Sequence, residues 1–213
     1  MAQGRFISLE GPEGAGKSTH LRRLAEALRA QGLKVCCTRE PGGTPLCEAV
    51  RGLLQFDSAG EAPGTRAEVL LFLASRAQLV ERVIRPALAV GTWVLCDRFC
   101  DSTFAYQGFG RQMDLAELRT LNGFATGGLL PDLTLLLDIP EAESVRRVAG
   151  RKGPADRFEQ EQAAFHRRLA EGFRTLAAAE PERICRVDSS GSEAETAQRI
   201  WEAVATRFAL ATN

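Results

Sequence analysis

The sequence lacks both a long apolar run and a net charge. No stretch reaches the 18 or more uncharged residues of a membrane-spanning helix, and 27 basic residues balance 27 acidic ones. We therefore expect no membrane segment and no nonspecific binding to nucleic acid or anionic membranes. The first six residues run straight into a strand-like segment, so we also expect no signal peptide and a cytoplasmic protein.

The cysteines and histidines fall in no metal-binding pattern, and lysine is rare among the basic residues. The six cysteines form no Cys-x-x-Cys pair, and the two histidines, His20 and His166, lie far from them in sequence. Several cysteines sit in apolar runs, where reduced cysteine acts as a small hydrophobe, as expected in a reducing compartment. Only three of the 27 basic residues are lysine, so each arginine needs its own argument.

What the sequence does have is an alternation of short apolar segments and longer amphipathic ones. Its 213 residues suit one domain over 1–213. The strand-like segments are apolar throughout, as in a parallel sheet covered on both faces. They are Arg5–Glu10, Lys34–Thr38, Thr92–Asp97, Leu133–Ile139 and Arg183–Asp188. Helical patterns cover about 17–31, 45–56, 64–90, 114–126, 141–150, 157–180 and 192–209. We predict a three-layer α/β/α fold with a five-stranded parallel sheet.

The predicted helix 64–90 is apolar on more than one side. Residues 69–73 are consecutively apolar, whereas a helix that covers one sheet face needs a single apolar stripe. A second copy of the chain or a neighbouring helix could cover the additional surface. We favour a homodimer.

A phosphate-binding loop follows the first predicted strand and opens a helix. The motif G-x-x-x-x-G-K-[ST] is matched in full. It comprises Gly11, Pro12, Glu13, Gly14, Ala15, Gly16, Lys17 and Ser18, and Thr19 follows. Glycines allow backbone N–H groups to converge on phosphate oxygens, Lys17 would neutralise phosphate charge, and the Ser18 hydroxyl could bind Mg²⁺. The pattern predicts binding of ATP with Mg²⁺ in this P-loop.

A magnesium site also needs a carboxylate at the end of a neighbouring strand. Asp97 and Asp138 both end predicted strands, and one of them could simply cap the next helix. Asp97 is followed at once by Arg98, an anion-binding group, so we favour Asp97.

Arginines near the predicted strand ends favour a kinase over other P-loop proteins. Arg39 and Arg98 would suit a second phosphate-bearing ligand, although each could be a surface ion pair. The arginine-rich stretch at about 146–158 has the character of a mobile lid, with a solvated basic loop as the alternative. A GTPase is disfavoured because Asn-Lys-x-Asp is missing. Another nucleotide kinase and a nonenzymatic ATP-dependent switch remain alternatives.

Four motifs together resemble bacterial thymidylate kinases over residues 5–205. They are Glu-Gly-Pro-Glu-Gly-Ala-Gly-Lys-Ser-Thr at 10–19, Thr-Arg-Glu-Pro-Gly-Gly-Thr at 38–44, Asp-Arg with Ser-Thr-Phe-Ala-Tyr-Gln-Gly at 97–108, and Pro-Asp-Leu-Thr-Leu-Leu-Leu-Asp at 131–138. The resemblance implies transfer of the ATP γ-phosphoryl group to thymidine monophosphate.

The resemblance also implies roles for individual residues. Arg39 and Arg98 would hold the acceptor phosphate, and Glu13 would reach the sugar 3′-hydroxyl. Phe72 would stack on thymine, although alone it would be read as a core residue, and Arg76 on the same helix face would contact the base edge. The base and sugar pocket would be completed by Ser102, Tyr106 and Gln107.

In this family an arginine that stabilises the transferred charge comes from the P-loop or from the lid. The P-loop position is Gly14 here, so the lid would supply the arginine. We expect Arg151 to fill this role beside Lys17 and Arg98, with Arg147 and Arg157 as alternatives.

Overall fold

The computed structural model describes residues 3–56, 58–150 and 157–211. Five strands form one parallel sheet in the order β2-β3-β1-β4-β5. They are β1 (Phe6–Glu10), β2 (Val35–Arg39), β3 (Trp93–Asp97), β4 (Leu133–Asp138) and β5 (Ile184–Asp188). Each predicted strand begins or ends within one residue of the observed one, so the α/β sheet prediction is confirmed.

Helices cover both faces of the sheet. They are α1 (Lys17–Ala30), α2 (Pro45–Gln55), α3 (Thr65–Leu79), α4 (Arg85–Ala89), α5 (Cys100–Thr103), α6 (Leu115–Thr126), α7 (Glu141–Ala149), α8 (Ala163–Ala179) and α9 (Glu193–Phe208). Successive residues of β1 point to opposite faces, so Phe6 packs with α3, α6 and α8 and Ile7 packs with α1 and α9. The two apolar clusters complete the predicted three-layer arrangement.

The structure differs from the predicted helices at three places. The helix over 64–90 is interrupted by a π-helical segment, Val80–Ile84, just before Pro86, whose missing N–H cannot continue the α-helical ladder. The helix predicted from 157 begins at 163, because residues 157–160 form turns and Phe158 is buried against other aromatic rings. A helical segment at 100–110 was not predicted.

That missed segment combines α5 with a π-helical stretch, Phe104–Gly110. Gly108 and Gly110 made this segment look like a loop in the sequence, but both glycines are needed for close packing. A Cβ on Gly108 would lie 2.4 Å from Leu115, and one on Gly110 would lie 2.5 Å from Phe165. The segment places Tyr106 and Gln107 at the carboxyl edge of the sheet.

In the part of the chain that the structure describes, no helix has the length and apolarity to cross a membrane.

Candidate active site

The loop between β1 and α1 curls around the side chain of its own lysine. Gly11, Gly14 and Gly16 all have positive φ angles, and a Cβ on Gly11 would lie 2.3 Å from the Leu137 carbonyl oxygen. Lys17 Nζ donates to the carbonyls of Gly11 at 3.1 Å and Pro12 at 2.8 Å. Burial, and then the charge of Arg98, lower the pKa of Lys17 despite nearby carboxylates. The lysine charge is therefore enclosed by the loop.

Position 14 is also limited by helix α7. Gly14 has φ of +74°, and a Cβ there would lie 2.9 Å from the Ser144 carbonyl oxygen. Helix α7 is docked on the loop because Ser144 Oγ donates to the Glu13 carbonyl at 2.7 Å. A larger side chain at position 14 would require α7 to move.

Ser18 and Asp97 meet at the mouth of the loop. Ser18 Oγ donates to Asp97 Oδ2 at 2.5 Å, whereas Asp138 is bound by Arg174 and Arg186. Of the two strand-end carboxylates, only Asp97 thus faces the P-loop serine. No group of three or more histidine, cysteine or acidic side chains is arranged for a metal within 3–56, 58–150 and 157–211. One hydroxyl and one carboxylate fit Mg²⁺, which commonly keeps waters and binds phosphate oxygens.

Arg98 is held in a left-handed backbone conformation, with φ of +70°. Its guanidinium donates to the Gly11 carbonyl and Ser102 Oγ, both at 3.1 Å, and to the Tyr106 hydroxyl at 2.9 Å. It also forms an ion pair with Glu13. Burial opposes ionisation of Glu13, but Arg98 and Lys17 together lower its pKa to about 2. The ion pair of Arg98 and Glu13 therefore lies on the P-loop, to which Glu13 belongs.

Glu10 stabilises the unusual turn at Arg98. Its carboxylate accepts from the Phe99 N–H at 2.7 Å, the Ser102 N–H at 3.3 Å and the Ser102 hydroxyl at 2.6 Å. Burial, and then the charge of Asp101, raise the pKa of Glu10 to about 7 although Arg98 opposes this. Glu10 was missed in the sequence because it reads as the end of a buried strand.

An aromatic pocket adjoins the phosphate cleft. The cleft has a volume of about 550 Å³ and includes Lys17, Ser18, Asp97 and Arg39. Glu13 and Arg98 line both spaces. The pocket is further lined by Glu40, Pro41, Gln55, Phe72, Arg76, Ser102, Thr103, Tyr106, Gln107 and Phe158.

Phe158 narrows this pocket. Its ring centroid lies 5.9 Å from that of Phe72 and 5.6 Å from that of Tyr106. A planar base that stacked on Phe72 would need the space next to Phe158. Three aromatic rings, those of Phe72, Tyr106 and Phe158, therefore line the pocket, and of these Phe158 was not named from sequence.

Arg76 is the most thoroughly bonded side chain of the pocket. It is 1% exposed, and its five N–H groups make five hydrogen bonds. Two of them reach Glu40 Oε2, at 2.8 and 2.6 Å, and the others reach Thr103, Asn122 and the Phe99 carbonyl. Glu40 Oε1 is buried and has no hydrogen-bond partner among the residues that the structure describes. The predicted contact of Arg76 with a base edge would have to share or replace one of these bonds.

Arg39 lies at the open side of the cleft. Its guanidinium donates to both carboxylate oxygens of Glu48, at 3.0 and 2.9 Å, and its side chain is 53% exposed. This is the surface ion pair that the sequence left as an alternative. Arg51, on the same cleft wall, was not identified from sequence.

The three lid arginines have different positions. Arg151 lies outside the described residues. Arg147, on α7, donates to the carbonyls of Gly14 and Ser189, at 3.4 and 3.0 Å. Arg157 donates to Glu68 at 2.7 Å and to the Leu54 carbonyl at 3.1 Å, and Glu68 also accepts from Gln107 of the aromatic pocket.

Comparison with known proteins agrees with this geometry. The family model described as thymidylate kinase matches residues 9–200. The chain is 52% identical over 207 residues to a thymidylate kinase of Synechococcus sp. (strain JA-2-3B'a(2-13)), covering 97% of each chain. It is 52% identical over 207 residues to that of Deinococcus radiodurans, covering 97% and 99%. The crystal structure of thymidylate kinase from Ehrlichia chaffeensis matches with a TM-score of 0.78 at 30% identity, covering 95% and 99%. This chain belongs to the thymidylate kinase family.

Proposed function

We propose that this protein transfers the γ-phosphoryl group of ATP to thymidine monophosphate, giving ADP and thymidine diphosphate. The proposal rests on one observation, which is that the phosphate cleft and the aromatic pocket are lined in part by the same residues. Glu13 and Arg98 line both the cleft of the P-loop and the aromatic pocket. A donor phosphate in the cleft and an acceptor nucleotide in the pocket would thus meet at one charged pair.

In this mechanism the protein accelerates the reaction mainly by binding and orienting the two nucleotides. Backbone N–H groups of the P-loop and Lys17 would hold the β- and γ-phosphates of ATP. Ser18 and Asp97 would hold Mg²⁺, which neutralises phosphate charge when it is bound. Arg98, with Arg39 at the open side, would hold the acceptor phosphate.

The acceptor nucleoside would be bound by the pocket. Glu13 would accept a hydrogen bond from the sugar 3′-hydroxyl, consistent with a carboxylate whose pKa is lowered to about 2. Phe72 would stack on the base, with Arg76 and Gln107 at its polar edge. Ser102 and Tyr106, both bonded to Arg98, would complete the sugar side. Arg151 would stabilise charge on the transferred group.

We also propose a cytoplasmic homodimer. Leu70 on α3 is 58% exposed and Phe124 on the adjacent α6 is 90% exposed, although both are large and apolar. A second copy of the chain would cover these side chains. Sedimentation equilibrium of Phe124→Asp against Glu117→Ala, an exposed change on the same helix, tests this assignment. A Phe124→Asp protein that remains dimeric would refute this face as the interface.

Release of ADP tests the activity directly. The protein is mixed with ATP and Mg²⁺, and each deoxynucleoside monophosphate or nucleoside is offered singly. We expect turnover with thymidine monophosphate well above that with any other acceptor. Preference for another acceptor would indicate a different nucleotide kinase, and ADP release independent of any acceptor would indicate an ATP-dependent switch.

A further inference from the structure

We propose that Glu68, a buried carboxylate behind the base pocket, is a positioning residue that sets the hydrogen-bonding polarity of Gln107 and thereby the preference for thymine over cytosine. The inference rests on the proposed function, because it concerns how the acceptor base is read.

Glu68 lies on α3 with 1% of its surface exposed. Its Oε1 accepts from Gln107 Nε2 at 2.8 Å, and this hydrogen bond is buried. Its Oε2 accepts from Arg111 at 3.2 Å and Arg157 at 2.7 Å. Two guanidinium groups therefore supply positive charge to the same carboxylate, as an ionised acid requires in a buried site.

An ionised carboxylate accepts hydrogen bonds and donates none. The side-chain amide of Gln107 has one donating and one accepting end, and the neighbours decide which end faces which way. With Glu68 on one side, the NH₂ end must face the carboxylate. The carbonyl end is then the part left for the pocket that Gln107 lines. Within the described residues, no hydrogen bond ends on Gln107 Oε1.

A carbonyl oxygen at this position distinguishes between pyrimidines. Thymine and uracil carry an N–H donor at ring position 3, whereas neutral cytosine has an acceptor there. Gln107 held with its oxygen toward the base would bind the first two and repel the third. In the reverse orientation, Gln107 Oε1 would face the Glu68 carboxylate, which is also an acceptor. Two acceptors that face each other in a desolvated site cost a large free energy.

Glu68→Gln tests the inference because it preserves shape but adds a donor. An amide at position 68 can bond to Gln107 in either orientation, so the polarity of Gln107 is no longer fixed. We expect the ratio of the Kd for dCMP to the Kd for dTMP, measured by calorimetry, to fall about tenfold or more. The ratio of dUMP to dTMP should not change, because both bases carry the same N–H.

Two further variants separate positioning from general structural damage. Arg111→Gln removes an ion pair of Glu68 but leaves the Glu68–Gln107 bond, so the dCMP-to-dTMP ratio should stay at the wild-type value. In a Gln107→Ala background, Glu68→Gln should have no effect on that ratio. If Glu68→Gln folds poorly, Glu68→Met removes the same acceptor and should lower the ratio as well.

Nucleotide affinities of the wild type and of Glu68→Gln distinguish a failure of the proposed function from a failure of the role of Glu68. A wild-type protein that binds dTMP no better than dCMP would refute the proposed function, and this inference with it. A selective wild type whose Glu68→Gln variant keeps the wild-type ratio, or loses affinity for all three nucleotides equally, would overturn the role of Glu68 alone.

Discussion

Removing the Arg76 guanidinium should destabilise the protein more than loss of one ligand contact would suggest. Arg76→Met keeps an unbranched side chain but leaves Glu40 as a buried carboxylate with no cation. The side chains of Arg76 and Glu40 are 1% and 3% exposed, so solvent cannot replace the lost partner. Breaking a buried ion pair in this way costs about 3–5 kcal/mol. For a chain of this size that corresponds to a fall in Tm of roughly 6–20 °C.

The pH dependence of this loss has a defined sign. Burial already raises the pKa of Glu40, and Arg76 opposes that rise. Without Arg76 the folded-state pKa rises further above the unfolded value. The contribution of Glu40 is then favourable at low pH and is lost as pH rises through the folded pKa. We expect Arg76→Met to be closer to the wild type at pH 5 than at pH 8.

Urea unfolding of four proteins at both pH values measures the effect. They are the wild type, Arg76→Met, Glu40→Gln and the double variant. The double variant should be more stable than Arg76→Met alone, because it buries no unpaired charge. If Arg76→Met costs less than about 1 kcal/mol, or if the double variant is no more stable than Arg76→Met, the ion pair is not the stabilising unit that the structure indicates.

Four other substitutions have distinct expected outcomes. Lys17→Ala should lower kcat by about 10²–10³ or more with unchanged circular dichroism, and turnover near the wild-type value would exclude Lys17 as a phosphate ligand. The pKa of Glu10 is raised to about 7, so Glu10→Gln should remove the loss of stability that ionisation causes as pH rises from about 4.5 to 7; parallel stability–pH curves for the two proteins would contradict this. Arg151→Ala should lower kcat at least about 100-fold with little change in the KM for thymidine monophosphate, whereas Arg157→Ala should mainly lower Tm. Near-normal kcat in the Arg147, Arg151 and Arg157 variants alike would refute catalysis by the lid.

The fold and the P-loop could be predicted because their signals are local. Apolar runs of five or six residues marked the strands, and the glycine spacing before Lys17 marked the loop. The resemblance to a family added the residues that are proposed to bind the base. Arg39 and Arg98 line the P-loop cleft although they are distant from the loop in sequence. Their place there could be inferred only because each follows a predicted strand.

The buried carboxylates could not be predicted in the same way. Glu68 lies in the first turn of a helix, where an acidic residue is ordinarily explained by the helix dipole and by solvent. Its partners Gln107 and Arg157 are 39 and 89 residues away. Glu40 is likewise 36 residues from Arg76. Burial of such groups follows from tertiary packing, which no local pattern of a single sequence reports.

The central position of β1 has a consequence for synthesis of the chain. Phe6 pairs with β3, and its N–H donates at 2.7 Å to the side chain of Asp132, 126 residues later. At roughly 5–20 residues per second, the ribosome needs roughly 6–25 s to make that stretch. The strand that begins the P-loop is thus made early but waits for both neighbours. During this interval its apolar side chains and unpaired backbone groups are open to other chains, and a chaperone that binds extended apolar segments would act there.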